Sequence, residues 1–100
     1  MGDYDFTVSY TSWVMGGTVT SGVYYKTGRI EYGEKGQVKV IIDANTPQYY
    51  HVFDMDRNGT LTGQGGTSSG EFESRKKVHL SFTNNGLGGG GSQDIIGTKK

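Results

Sequence analysis

One hundred residues is the size of a single domain, enough for one two-layer core and too few for two. Hydrophobic residues make up 32% of the chain while glycine alone contributes 18 residues, so the core is expected to be thin and to lean on its seven tyrosines and other aromatic rings. Ten basic and ten acidic residues cancel, which argues against electrostatic capture of nucleic acid or of an anionic membrane; the lack of cysteine removes disulfides and thiolate metal sites.

The opening residues, Met1 to Phe6, lack the basic start and apolar run of a secretory signal. No run approaches the ~20 apolar residues that cross a bilayer, so no transmembrane segment is expected. A cytoplasmic or non-classically secreted location fits these features. Phe6 stands where a myristoylation signal wants Ser or Thr.

Alternation with period two begins at once, with Phe6, Val8 and Tyr10 on one face and Asp5, Thr7 and Ser9 on the other. Ser12 to Met15 is more apolar and is broken by Gly16-Gly17. Ser21-Gly22 reads as a tight turn, Val23 to Lys26 as a strand closed by Thr27-Gly28, and Ile30 to Tyr32 as another. Gly33 to Gly36 is expected to join that strand to Val38–Ile42 in a hairpin.

Pro47, the only proline, suits a loop through Ala44 to Thr46. Tyr49 to Met55 reads as an aromatic strand, and Asn58-Gly59 as the φ > 0 pair of a type I′ turn into Thr60 to Thr62. Gly63 to Gly70 is polar, glycine-rich and expected to be mobile. Glu71 to Glu73 and Val78 to Phe82 complete the strands before Asn84 to Gly86, and no segment carries helical periodicity.

The expected fold is therefore all-β, a single antiparallel β-sandwich of about eight short strands with glycine-rich turns. Residues 1–86 are assigned to the sandwich core. Residues 87–100 are read as a glycine-rich C-terminal segment, a linker at Gly88 to Ser92 followed by a final edge strand at Ile95-Ile96.

Asp54, Asp56 and Asn58 with Gly59 match the first half of an EF-hand loop, but Gly65 stands at the twelfth position, where a bidentate Glu belongs, and neither flank is helical. A hairpin turn explains the same residues, and no metal is assigned. Asn58-Gly59-Thr60 is also a glycosylation sequon, read as incidental. His51 and His79, the only histidines, both fall within strands, and His51 shares a face with Phe53 and Met55, so packing is the preferred role.

The carboxylate pairs Asp54/Asp56 and Glu71/Glu73 read as solvated faces, because so short a chain hardly encloses a hydrolase cleft. No phosphate-binding glycine motif is present, and Arg75 to Lys77 reads as protection of a strand edge. No catalytic residue and no cofactor are assigned, and the protein is not expected to be an enzyme.

What remains is the excess of aromatics in pairs, Tyr24-Tyr25 and Tyr49-Tyr50, with Trp13. Neighbours in a strand face opposite sides, so one tyrosine of each pair should face solvent, where its ring can stack on a sugar. The short strands separated by serine, threonine and glycine resemble various microbial and fungal lectins and, less closely, membrane-active β-sandwich proteins such as aegerolysins; no residue is assigned through that resemblance.

The leading expectation is a non-enzymatic carbohydrate-binding lectin with Trp13, Asp43, Asn45, Tyr49 and Asp54 as ligand-binding residues and a glycan or glycoprotein as partner. Agglutination by so shallow a site calls for two sites or a homo-oligomer. The alternative is a membrane-associating or self-assembling protein that uses Trp13, Val14 and Met15, or an unpaired strand edge.

Overall fold

Alternation along a strand puts Tyr4, Phe6 and Val8 on one face and Asp3, Asp5, Thr7 and Ser9 on the other. In the computed structural model, which describes residues 2–34, 36–63, 67–86 and 89–100, the first three are buried in one core. Eight strands repeat the rule: β1 (Gly2–Val14), β2 (Val19–Tyr32), β3 (Gln37–Ile41), β4 (His51–Met55), β5 (Thr60–Gly63), β6 (Ser68–Ser74), β7 (Lys77–Gly86) and β8 (Gly89–Lys99). Each pairs antiparallel with the next, and β8 returns to β1, which closes a barrel.

The all-β class and the antiparallel pairing agree with the sequence reading; the sandwich does not. Both architectures share one alternation, apolar in and polar out, and differ in whether the sheet coils sharply enough to meet itself. Inward-facing glycines permit that coiling. A Cβ at Gly28 would collide with the carbonyl oxygen of Ile41, and one at Gly97 would come within 2.7 Å of the Phe6 ring and 2.8 Å of Val78. Gly28 is therefore a bend inside one continuous strand, and Val23 to Lys26 and Ile30 to Tyr32 are both parts of β2.

β8 also differs from the expected linker and edge strand. It is paired along both sides, from Gly89 opposite Val14 and Gly86 to Lys99 opposite Tyr4. Gly88 itself lies outside the described residues, as do residues 64–66 of the glycine-rich segment expected to be mobile; Ser68 to Gly70 of that segment belong to β6.

Inside the barrel, Phe6, Phe53, Leu61 and Leu80 sit among Val8, Ile30, Val38, Val40, Val78 and Ile95, all buried, and Tyr4 fills the lower end. A small barrel has one buried face per strand, which is how so few hydrophobic residues suffice. In the closed part of the barrel the apolar side chains of this core face inward. No helix among the described residues is long and apolar enough to cross a membrane.

At the lower end, Asp56 to Gly59 joins β4 to β5. Gly59 donates to the Asp56 carbonyl at 3.1 Å, and the Asp56 carboxylate accepts the N–H groups of Asn58 at 2.8 Å and Thr60 at 3.0 Å. Among the described residues only glycines have positive φ, with Gly59 at 84°. The hairpin is where the sequence reading puts it, but the turn is a type I turn closed by a left-handed glycine, not a type I′ turn, because the Asp56 side chain holds Asn58 in ordinary backbone geometry.

The strands are unequal. β3, β4 and β5 have five, five and four residues, while β1 and β2 have 13 and 14. A five-residue strand rises only about 17 Å, yet the molecule is 43 Å long. The upper halves of β2, β1, β8 and β7 accordingly run past the closed barrel as a four-stranded overhang.

Candidate functional site

The inner face of this overhang begins where the core ends. Phe82 marks the boundary: its ring packs edge-on against Phe53 at 5.9 Å and lies 4.6 Å from the His51 ring. Its other side opens on a cleft of about 690 Å³ at the upper mouth of the barrel, lined also by Tyr10, Ser12, Thr67, Asn84 and Gln93. Tyr10, Gln93 and Phe82 stand in register across β1, β8 and β7, and Ser12, Gly91 and Asn84 form the next row up.

Glycine shapes the cleft. Gly22 lies opposite Tyr10, and a Cβ there would stand 2.6 Å from the tyrosine hydroxyl, so the ring lies across bare backbone. Tyr24 packs beside it, 5.9 Å between ring centres. Gly89, Gly90 and Gly91 pair with Val14, Trp13 and Ser12 and leave that part of the wall without side chains. The run that reads as a linker thus forms one wall of the concavity.

None of the described lining residues carries a charge. Aromatic faces beside amide and hydroxyl groups can hold a neutral polar ligand by stacking and hydrogen bonding.

The residues nominated from sequence do not all come together. Asp43, Asn45 and Tyr49 lie in the connection between β3 and β4 at the upper end, whereas Asp54 lies opposite Gln37 near the lower end. Asp54 accepts a hydrogen bond from the Gln37 amide at 3.2 Å. Asp43 accepts the Asn45 N–H at 2.9 Å and pairs with Lys26 at 3.3 Å. The Asn45 N–H and then Lys26 hold its carboxyl below the ordinary range.

Tyr49 is exposed, and Tyr50 carries the Lys39 ammonium 4.2 Å over its ring. Both lie before β4, which starts at His51, not within it as expected. Trp13 sits near the end of β1, opposite Val19 and Gly90, on the outer face of the overhang.

The two histidines are accounted for by geometry. Packing against Phe82 removes water from part of His51 and pushes its pKa down, although some of the ring stays open to solvent. His79 lies 3.4 Å from Asp94, which also accepts the Ser81 hydroxyl at 3.1 Å. The order is serine, carboxylate, histidine on an open surface. A nucleophilic serine needs the imidazole next to it, so this trio is not a catalytic triad.

Sequence reasoning missed Tyr10, Phe82, Asn84 and Gln93. The signal present was the alternation Phe6, Val8, Tyr10, which assigns Tyr10 to the core face; nothing local indicated that the core would end one residue pair below it. Comparison of the chain with protein-family models, curated proteins and solved structures gave no match.

Proposed function

We propose that the protein is a non-enzymatic carbohydrate-binding module of lectin type that holds a neutral glycan in the cleft above Phe82. The observation that carries this reading is an uncharged concavity in which the Tyr10 and Phe82 rings stand beside Asn84, Gln93 and Ser12. At about 690 Å³ it falls within the usual range for small-ligand sites. Sugars offer an apolar ring face for stacking and hydroxyls for amides to pair, and a lining without charge disfavours sialylated or phosphorylated ligands, whose anions would lose hydration without a cation in return.

A glycan array followed by calorimetric titration tests this. Binding of a neutral sugar class is expected, weakened at least tenfold by Gln93→Ala and by Asn84→Ala and unchanged by Asp54→Asn. Silence across all sugar classes, or binding indifferent to both cleft substitutions, would sink the proposal.

A second reading has its own support. Trp13, Val14 and Met15 form a contiguous apolar tip on the β1–β2 hairpin, 37, 63 and 76% exposed, and tryptophan favours the membrane interface. Co-sedimentation with liposomes and a blue shift of Trp13 emission are the results this reading expects; an unshifted spectrum with neutral and anionic lipids removes it.

A further inference from the structure

Among the described residues, an edge of β2 in the overhang has no strand partner. β3 pairs with β2 only from Arg29 to Tyr32, and just above it the Thr27 carbonyl accepts the Ala44 N–H at 2.9 Å. Successive residues of a strand aim their N–H and C=O groups to opposite sides. Since Thr27 aims its carbonyl away from β1, Tyr25, Val23, Ser21 and Val19 do the same, toward open solvent. Their side chains lie on the outer face, where Tyr25 is 75% exposed and Val19 and Val23 more than half. The segment Val19–Tyr25 contains neither proline nor charge. It therefore lacks the devices that usually blunt a strand edge.

We propose that this edge pairs with the same edge of a second copy, antiparallel about a two-fold axis through Gly22. Residues whose numbers sum to 44 then lie opposite one another. The four residues with free backbone groups fall into hydrogen-bonded pairs with no mismatch: Val19 with Tyr25, Ser21 with Val23, and the symmetric two. Val19 with Tyr25 sets a β-branched side chain against an aromatic one, a favourable cross-strand pair. Gly22 meets Gly22 on the axis, so no side chains clash there. The chain has no net charge, and no ionic group of this segment faces its own image.

Area sets the strength. Seven residues span about 24 Å in a sheet about 10 Å thick, and with the exposed parts of Tyr25, Val19, Val23 and Met15 each copy covers on the order of 500 Å². That is below the ~800 Å² per partner of a standard interface, which places the dimer among weak, transient contacts. The axis is perpendicular to the sheet, so both overhangs join into one continuous sheet with their inner faces on the same side. If the cleft reading holds, two clefts open together and bind a multivalent surface with avidity.

Sedimentation equilibrium of the full chain between about 1 µM and about 1 mM tests the pairing. The weight-average mass should rise from 10.8 kDa toward twice that value. Val23→Lys, at an exposed position, should hold the protein monomeric with an unchanged circular dichroism spectrum, as should Ser21→Pro, which removes only an outward N–H.

The register has a separate readout, because the chain has no cysteine of its own. A mixture of Ser21→Cys and Val23→Cys chains should oxidise to a cross-linked dimer, since hydrogen-bonded pairs bring Cα atoms to about 5.5 Å, within disulfide reach. Ser21→Cys alone should not. A monomer at every concentration, a dimer that survives Val23→Lys, or cross-linking by Ser21→Cys alone overturns the proposal. None of these readouts involves sugar, so they stand or fall apart from the cleft.

Discussion

The closed barrel and the overhang are built from the same strands with the same alternation, yet they obey different physics. In the lower half of β1, Tyr4, Phe6 and Val8 meet side chains from across the barrel and lose all contact with water. Four residues higher than Val8 the same face carries Ser12, and the opposite wall is gone because β3, β4 and β5 have ended. The lower region gains its stability from burial. The upper region is held by its ladder, with cross-strand pairs and glycine backbones in place of a core. The lesson is that strand length, not strand composition, divides this molecule into a part with a closed core and a part open to solvent.

The sharpest way to test that division is to delete a ring from each side. Phe53 is completely buried at the centre of the barrel, and Phe53→Ala should cost about 3–5 kcal/mol through lost burial and a cavity that its neighbours fill only in part. Tyr25→Ser on the overhang, by contrast, should stay within about 0.5 kcal/mol. Urea denaturation of both variants measures the difference. Equal costs would mean that the overhang is as much a core as the barrel.

The next effect concerns closure. A side chain at Gly97 would be driven against Phe6 and Val78, so Gly97→Val should destabilise the protein by about 1–3 kcal/mol through overpacking. Gly91→Ala on the overhang meets the Thr11 carbonyl at 3.1 Å, a contact that a slight shift relieves, and should cost well under half as much. Thermal melts of the two variants distinguish a barrel that depends on glycine at its corners from one that merely tolerates it.

The β4–β5 turn gives a third comparison, of similar or smaller size. Gly59 has φ of 84°, and its missing Cβ would lie 3.3 Å from the Cβ of Phe72. Gly59→Val should cost roughly 1–3 kcal/mol, chiefly as backbone strain, whereas Gly16→Ala, with φ of 71° and nothing within 4 Å, meets the backbone term alone and should cost about 1 kcal/mol. Calcium chelation should leave the melting temperature of the wild type unchanged, since Asp56 Oδ1 serves the turn by accepting two backbone N–H groups and no cluster of three metal-ligating side chains is found among the described residues. A chelator-sensitive melt would show that the loop holds a cation.

Much of the fold was legible because period-two alternation is a local property: the all-β class, the Val38 strand and the Val78 to Phe82 strand follow from it, while the position of the Asn58-Gly59 hairpin, though not its turn type, follows from its turn residues. Closure was not, because a sandwich and a barrel share that alternation. The distinguishing marks, Gly28 and Gly97, read as punctuation when their partners across the sheet are unknown. The same ambiguity hid the cleft. Gly89 to Gly91 look like a linker until Ser12 to Val14 on one side and Asn84 on the other are known to flank them. Aromatic excess did not show which rings line the cleft, since whether Tyr10 is core or cleft depends on where β3 to β5 stop.

The smallest expected effect lies at the boundary between the two regions, where His51 packs on Phe82. Desolvation lowers its pKa, so the folded protein binds fewer protons there than the unfolded chain, in which the imidazole titrates near its ordinary value of about 6.5. Stability from this site is complete above about pH 6.5 and is lost as pH falls through that value toward the lower folded one. Asp43 acts in a separate window: its carboxyl is also held low, but its contribution fades only below the ordinary carboxylate value of 3.8. His51→Phe keeps a ring against Phe82 and removes the titration. The stability difference between pH 7.5 and pH 5, read from urea midpoints, should therefore shrink in the variant relative to the wild type, while the acid transition below pH 4 stays in place. A variant whose loss between pH 7.5 and 5 equals that of the wild type would show that His51 is fully hydrated and that the apolar boundary of the barrel lies below it.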